Sequence, residues 1–263
     1  MDFLKKITLN KRSELMARKI LRPEADLRRS PMFQRTARSL TDRLNATTWP
    51  GIIAEFKRKS PSRGWLRENA RVADIIPGYR AAGAAAVSVL TDEDFFSGSL
   101  DDLLEARSVL DLPILRKDFI IDPYQLVESK SFGADVVLLI AAILDEHQMV
   151  ELFQCAVDLG LEVLVEIHHS DELGRLPGGI RLLGINNRDL STFDVRADRA
   201  LEILPALPAG VLPIAESGIS DAGTVNKLWK NGFKGFLIGE YFMKQDDPGL
   251  ACTEFIKEVK SKP

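Results

Sequence analysis

Eight short β-rich runs lie between residues 52 and 239, each separated from the next by room for one helix. With the polar residues that end most of them, they predict an α/β protein, a (β/α)8 TIM barrel with an N-terminal helical extension. From Ile52, where the first run starts, to Gly235, where the last starts, is 183 residues, or about 26 per interval. Parallel strands joined by helices take right-handed crossovers, and eight such units close into a barrel of roughly 250 residues. An open doubly wound sheet is the structural alternative. Against it stand the absence of a GxGxxG turn after the first run and the functional-looking residues at the run ends.

Residues 4–21 and 31–44 read as helices, the second with Ser30 as N-cap and Pro31 at the first helical position. Phe33, Ala37, Leu40 and Leu44 would give that helix one apolar stripe. The strand runs are 52–57, 86–90, 114–117, 135–140, 162–167, 182–186, 211–217 and 235–239. The first is apolar on both faces before its charges begin, as a parallel strand covered on both sides should be. No linker, low-complexity tract or repeat divides the chain, so we expect one domain over residues 1–263, with residues 1–48 as an extension within it.

Composition narrows the function classes. The longest apolar run, residues 136–144, is far short of the roughly 18 to 20 residues a membrane helix needs, and the first ten residues lack a signal-peptide core. A cytoplasmic location without membrane contact is expected. Residues 1–48 carry twelve Lys and Arg against five Asp and Glu, leaving 23 against 33 in the remainder. A basic arm can bind nucleic acid, but regularly spaced apolar residues and a lone aromatic, Phe33, between Lys11 and Asn45 favour a docked helical pair. The helices would cover apolar surface that otherwise pairs, so we expect a monomer. Cys155 and Cys252 stand far apart without a CxxC pair, suggesting packed thiols and neither a disulfide framework nor a zinc site.

In a (β/α)8 barrel the working face lies at the carboxyl ends of the strands. Period-two alternation places Glu55 and Lys57 in register with Ile53, Lys117 with Leu115 and Phe119, Glu166 with Leu164, Asn186 and Arg188 with Gly184, and Glu216 with Ile214. Taken singly, any of these is as readily a solvated edge group. As a set, they bring acids, lysines and an amide to one mouth. Barrels of this type often hold a phosphate between the loops after strands seven and eight. Here those loops offer Ser217 and Gly218, then Gly239, with Ser60 and Ser62 able to close the other side. Phe95, Phe96 and Phe119 are core residues by default and a wall for a flat aromatic substrate as the sharper reading. His147, His168 and His169 form no metal-ligand pattern, and the residues assign them no role.

The stretches IIAEFKRKSPSRG, TDEDFFSGS, PILRKDFIIDPYQL, GADVVLLIA, LVEIH, LLGINNRDLSTF, IAESGIS and FLIGEYFM, in that order over residues 52–243, resemble the indole-3-glycerol-phosphate synthase family. The resemblance implies conversion of 1-(2-carboxyphenylamino)-1-deoxyribulose 5-phosphate to indole-3-glycerol phosphate in tryptophan biosynthesis, with loss of carbon dioxide and water and no cofactor or metal. It implies a small substrate bearing phosphate and carboxylate, and no nucleic-acid partner. By position, Lys117 resembles the general acid of ring closure and Glu166 the proton-accepting carboxylate. Lys57 resembles the lysine that meets the substrate carboxylate, Glu55 and Asn186 the pair beside the reacting hydroxyl, and Glu216 a further carboxylate. Ser60, Ser217, Gly218, Gly239 and the backbone of Glu240 fall on phosphate-binding positions. The segment between Glu166 and Gly184 is one residue short of the family pattern, and Asn187 stands where some relatives carry serine. The competing readings are a sugar-phosphate isomerase, a Schiff-base aldolase on the same fold, and a barrel that binds a phosphate ligand without chemistry.

Overall fold

The structure, a computed structural model, describes residues 3–189, 194–196 and 198–261. Part of the LLGINNRDLSTF stretch, residues 190–193, lies outside them. Eight parallel strands close a barrel: β1 (Gly51–Phe56), β2 (Ala86–Leu90), β3 (Ile114–Lys117), β4 (Val136–Ile140), β5 (Glu162–Ile167), β6 (Leu182–Asn186), β7 (Leu212–Glu216) and β8 (Gly235–Ile238). Each pairs with its sequence neighbours, and β8 returns to β1 through Gly51 to Gly235 and Ala54 to Ile238. Every strand end falls within one residue of the run read from sequence. The alternation is also as expected: Ile53, Leu115, Leu138, Leu164, Leu182, Ile214 and Leu237 form one apolar cluster inside the barrel. Ala54, Phe56, Val87, Val89, Val137 and Val165 belong to the outer cluster that packs under the helices.

The N-terminal segment departs from the expected helical pair. Helix α1 (Phe3–Leu21) forms as expected and an unanticipated short helix, α2 (Glu24–Arg28), follows it, but of the single helix anticipated over residues 31–44 only the end forms, as α3 (Leu40–Ala46). The cap is Ser39, whose hydroxyl accepts from the Asp42 N–H, and not Ser30. The cause is tertiary. Two acids at the amino ends of strands hold the chain between α2 and α3 in place. Asp135 accepts from the Arg35 guanidinium at 2.6 Å and the Arg38 N–H at 2.8 Å. Glu162 accepts from the Ser39 hydroxyl and the Leu40 N–H, both at 2.7 Å, and so caps α3 with a carboxylate. These bonds satisfy backbone groups that a continuous helix would have satisfied internally. Leu44 of α3 then plugs the amino end of the barrel, filling the space that Gly51 and Gly235 leave open. A Cβ at Gly51 would collide with the Leu44 side chain.

At the opposite end α1 lies against the loops that follow β2 and β3. Its Lys11 ammonium is fully buried, 2.9 Å from Asp92 and 3.0 Å from Asp118. The outward-facing Arg116 of β3 is buried too, bonded to Asp118 and Glu128 at 2.9 Å each and to Thr91, the Gln125 carbonyl and Ser129. After β1 the chain makes a small antiparallel hairpin, Lys59–Ser60 with Gly64–Trp65, that the sequence pattern does not suggest. Among the described residues no helix is long and apolar enough to cross a membrane.

Candidate active site

The strand alternation that buries Ile53, Leu115, Leu164 and Ile214 carries Glu55, Lys117, Glu166 and Glu216 to the carboxyl end on the same inward face. They meet there around one lysine. The Lys117 ammonium donates to Glu216 Oε2 and stands 3.7 Å from Glu166 Oε2 and 4.0 Å from Glu55 Oε2. Lys57 donates to Glu55 Oε1 at 2.5 Å, and the Asn186 amide donates to Glu166 Oε1 at 3.0 Å. Two glycines make room for this packing. At Gly184 a Cβ would collide with the Glu216 carboxylate, and at Gly239 it would stand 2.5 Å from Glu55 Oε1.

So dense a cluster shifts its own titrations. Burial alone would lower the Lys117 pKa, but Glu216, Glu166 and Glu55 together hold it above the usual lysine value. Burial also works against the Glu55 carboxylate, and Lys57 and Lys117 outweigh it, leaving the pKa below the usual range. Glu216 goes the other way: burial pushes it up to about 8, with Lys117 opposing and the neighbouring Glu166 adding to the rise. Two neighbouring carboxyl groups ionise less readily together than singly, so the rise belongs to the Glu216–Glu166 pair.

Above the cluster opens a cavity of about 440 Å³. Glu55, Lys57, Lys117, Glu166 and Asn186 line its floor side, together with Ser60, Ser217, Gly218, Gly239, Glu240, Phe96 and Phe119. The structure therefore brings the catalytic and phosphate-binding candidates read from the sequence to one place, while Phe95, read as part of the aromatic wall, does not line it. Glu216 does not line the cavity either; it lies wholly buried beneath, reaching it through Lys117. Phe96 and Phe119 face each other with ring centroids 6.1 Å apart and form an apolar wall beside Leu138 and Ile140. Across the cavity Ser217 and Gly218 both take left-handed backbone, at φ 62° and 73°. The Ser60 hydroxyl is buried without a hydrogen-bond partner among the described residues.

Sequence reasoning leaves three neighbours unassigned. Arg188 donates to the Ser62 hydroxyl at 3.2 Å and lies 3.4 Å from Glu240 Oε2, so it ties together the loops after β1, β6 and β8. Its parity with Asn186 is the available signal. His168 has the same kind of signal, its parity with Glu166, whereas Asp118 carries none, because its Lys11 partner comes from α1. Among the described residues no group of His, Cys, Asp and Glu is placed to hold a metal ion.

A closed eight-stranded barrel whose carboxyl face gathers paired acids and lysines under a small-molecule cavity defines the (β/α)8-barrel enzymes. Solved structures agree on the fold. The 3-hexulose-6-phosphate synthase from Salmonella typhimurium superposes with a TM-score of 0.63 at 12% identity, over 81% of this chain and 100% of that one. Thiamine phosphate pyrophosphorylase from Pyrococcus furiosus gives 0.60 at 15% identity, over 85% and 98%. The family model described as Indole-3-glycerol phosphate synthase matches residues 4–255, and the chain belongs to that family. Relatives named indole-3-glycerol phosphate synthase include one from Bacteroides thetaiotaomicron, 47% identical over 98% of this chain and 99% of its own length. Another, from Bordetella pertussis, is 42% identical over 97% and 99%.

Proposed function

We propose that the chain catalyses the ring closure of 1-(2-carboxyphenylamino)-1-deoxyribulose 5-phosphate to indole-3-glycerol phosphate, releasing carbon dioxide and water. One observation carries this beyond family membership: a half-buried lysine, Lys117, stands among three carboxyl groups at the edge of a cavity with an aromatic wall. Ring closure needs the ketone made electrophilic while the aromatic carbon that bears the carboxylate attacks it. Lys117 gives its proton to the developing alkoxide as that carbon–carbon bond forms. The carboxylate then leaves as carbon dioxide, and its electron pair restores the ring. In the second stage the new hydroxyl leaves as water with a proton from Lys57, and Glu166 takes a proton from the adjacent carbon, forming the pyrrole double bond. Solvent reprotonates the lysines and takes the proton from Glu166, a net uptake of one proton per turnover that matches the carboxylate lost as carbon dioxide.

Glu55 and Asn186 hold the leaving hydroxyl, and Glu216 anchors Lys117 between turnovers. Phe96 and Phe119 receive the aminobenzoate ring, while Ser60, Ser217, Gly218, Gly239 and the Glu240 backbone receive the phosphate. In support, the Ser60 hydroxyl is buried without a partner among the described residues, and Arg188 stands close by to draw an anion inward. We further read residues 1–263 as one domain, acting as a monomer in the cytoplasm. Incubating purified protein with the carboxyphenylamino sugar phosphate and following indole fluorescence tests the reaction. Fluorescent product without covalent trapping by borohydride is expected; no product, or a borohydride-trapped imine, would overturn it.

A further inference from the structure

Glu166 has a neighbour that the roles above leave unused. His168 follows β5 two residues after Glu166, shares its inward parity, and is only 3% exposed. Its Nε2 lies 3.3 Å from Glu166 Oε1 but is not aligned with it for a hydrogen bond as the ring stands, and neither ring nitrogen has a hydrogen-bond partner among the described residues. A buried imidazole without partners is costly, so the one acceptor within reach decides its tautomer. The backbone that carries the ring is itself held. The N–H groups of His168 and His169 both donate to Glu172 Oε2, at 2.6 and 3.0 Å.

We propose that His168 is a positioning residue: a small turn of its ring aims Nε2–H at Glu166 Oε1, so that it and the Asn186 amide together hold that oxygen and leave Oε2, on the Lys117 side, to take a proton. The asymmetry is visible in the distances. Oε1 has the amide at 3.0 Å and the imidazole at 3.3 Å, whereas Oε2 faces the Lys117 ammonium at 3.7 Å. A carboxylate held this way presents one oxygen in one orientation, and its basicity is set by the donors on the other. The charged and titratable groups facing His168 are Glu166 on its own strand, Glu216 on β7, Glu172 and His169 on the turn that follows, and Arg199 on the helix Arg199–Ile203. Burial lowers the imidazole pKa, with Glu172 and Glu216 opposing, which keeps the ring a neutral single donor.

The inference rests on Glu166 being the proton acceptor. His168→Phe keeps the ring and removes both nitrogens; His168→Gln returns an N–H near the Nε2 position. A hydrogen bond to a charged group is worth about a factor of ten or more, so His168→Phe should lose about tenfold in kcat with KM within about twofold. The acidic limb of its kcat–pH profile should move to higher pH, because Glu166 loses a donor. His168→Gln should recover most of both. A folded His168→Phe enzyme with unchanged kcat and profile, or a Gln variant no better than Phe, would overturn the proposal. Nitrogen-15 NMR of the unaltered protein, which needs no turnover, should show His168 as the neutral Nε2–H tautomer. An Nδ1–H tautomer would overturn it even if both variants fail to fold. Failure of the proposal leaves Glu166→Gln inactive all the same, whereas an active Glu166→Gln would overturn the underlying reading of the site.

Discussion

Lys117 carries most at the scale of single residues. Replacing it with Met keeps much of the stem and removes the donor. Because a positioned acid contributes roughly 10² to 10⁴ in rate, kcat should fall by about that factor while KM moves far less. A variant that kept its kcat but raised KM would show that the ammonium only attracts the anion. Glu166→Gln should likewise lose about a hundredfold or more in kcat, and near-normal turnover across the pH range would mean that the carboxylate is structural. Glu216 makes a different prediction, about stability. Its folded pKa of about 8 lies above the usual 4.5, so the folded state holds the extra proton between those values. Stability from this group is present below about 4.5 and lost as pH rises through about 8. Glu216→Gln removes that loss, and its melting temperature relative to the parent should climb from pH 5 to pH 9. A constant offset would place the Glu216 pKa in the ordinary range.

Between elements, the decisive joints are ion pairs that no local pattern announces. The strands are legible in the sequence because alternation repeats within each run, and inward parity alone singles out Glu55, Lys117, Glu166, Asn186 and Glu216. The segment 24–39 is not legible in this way, because its conformation is decided by Asp135 and Glu162, about a hundred and more residues away, and Ser30 and Ser39 look alike as caps. Lys11 is invisible as an anchor for the same reason. It sits on α1 among ordinary helical lysines, yet it is buried between Asp92 and Asp118. Lys11→Met would leave two buried acids short of a partner, a loss of roughly 3 to 5 kcal/mol by the usual cost of breaking a buried pair. Urea unfolding at neutral pH measures it. A loss under about 1 kcal/mol would show that the pair is solvated after all. Gly184→Ala tests the other kind of joint, since the added methyl must push Glu216 off Lys117.

At the scale of the whole molecule, the chain is a barrel clasped at both ends by its own first fifty residues, α1 at the carboxyl face and α3 at the amino face. If these form one cooperative unit, far-UV circular dichroism and the fluorescence of Trp49, Trp65 and Trp229 should report a single coincident urea transition, because the three indoles lie in different regions. Two separated transitions would divide the extension from the barrel. Sedimentation should give a mass near the chain's 29.2 kDa. A dimer would point to the outer side of α1, where Leu9, Met16 and Ile20 are exposed. The Leu44 plug also governs traffic. With Leu44 seated against Gly51 and Gly235, and apolar side chains stacked above it, the barrel is a vessel with one opening. Substrate, carbon dioxide, water and product all meet that rim, so the gas has to slip out beside the ring-closed intermediate still in place or wait its turn behind it.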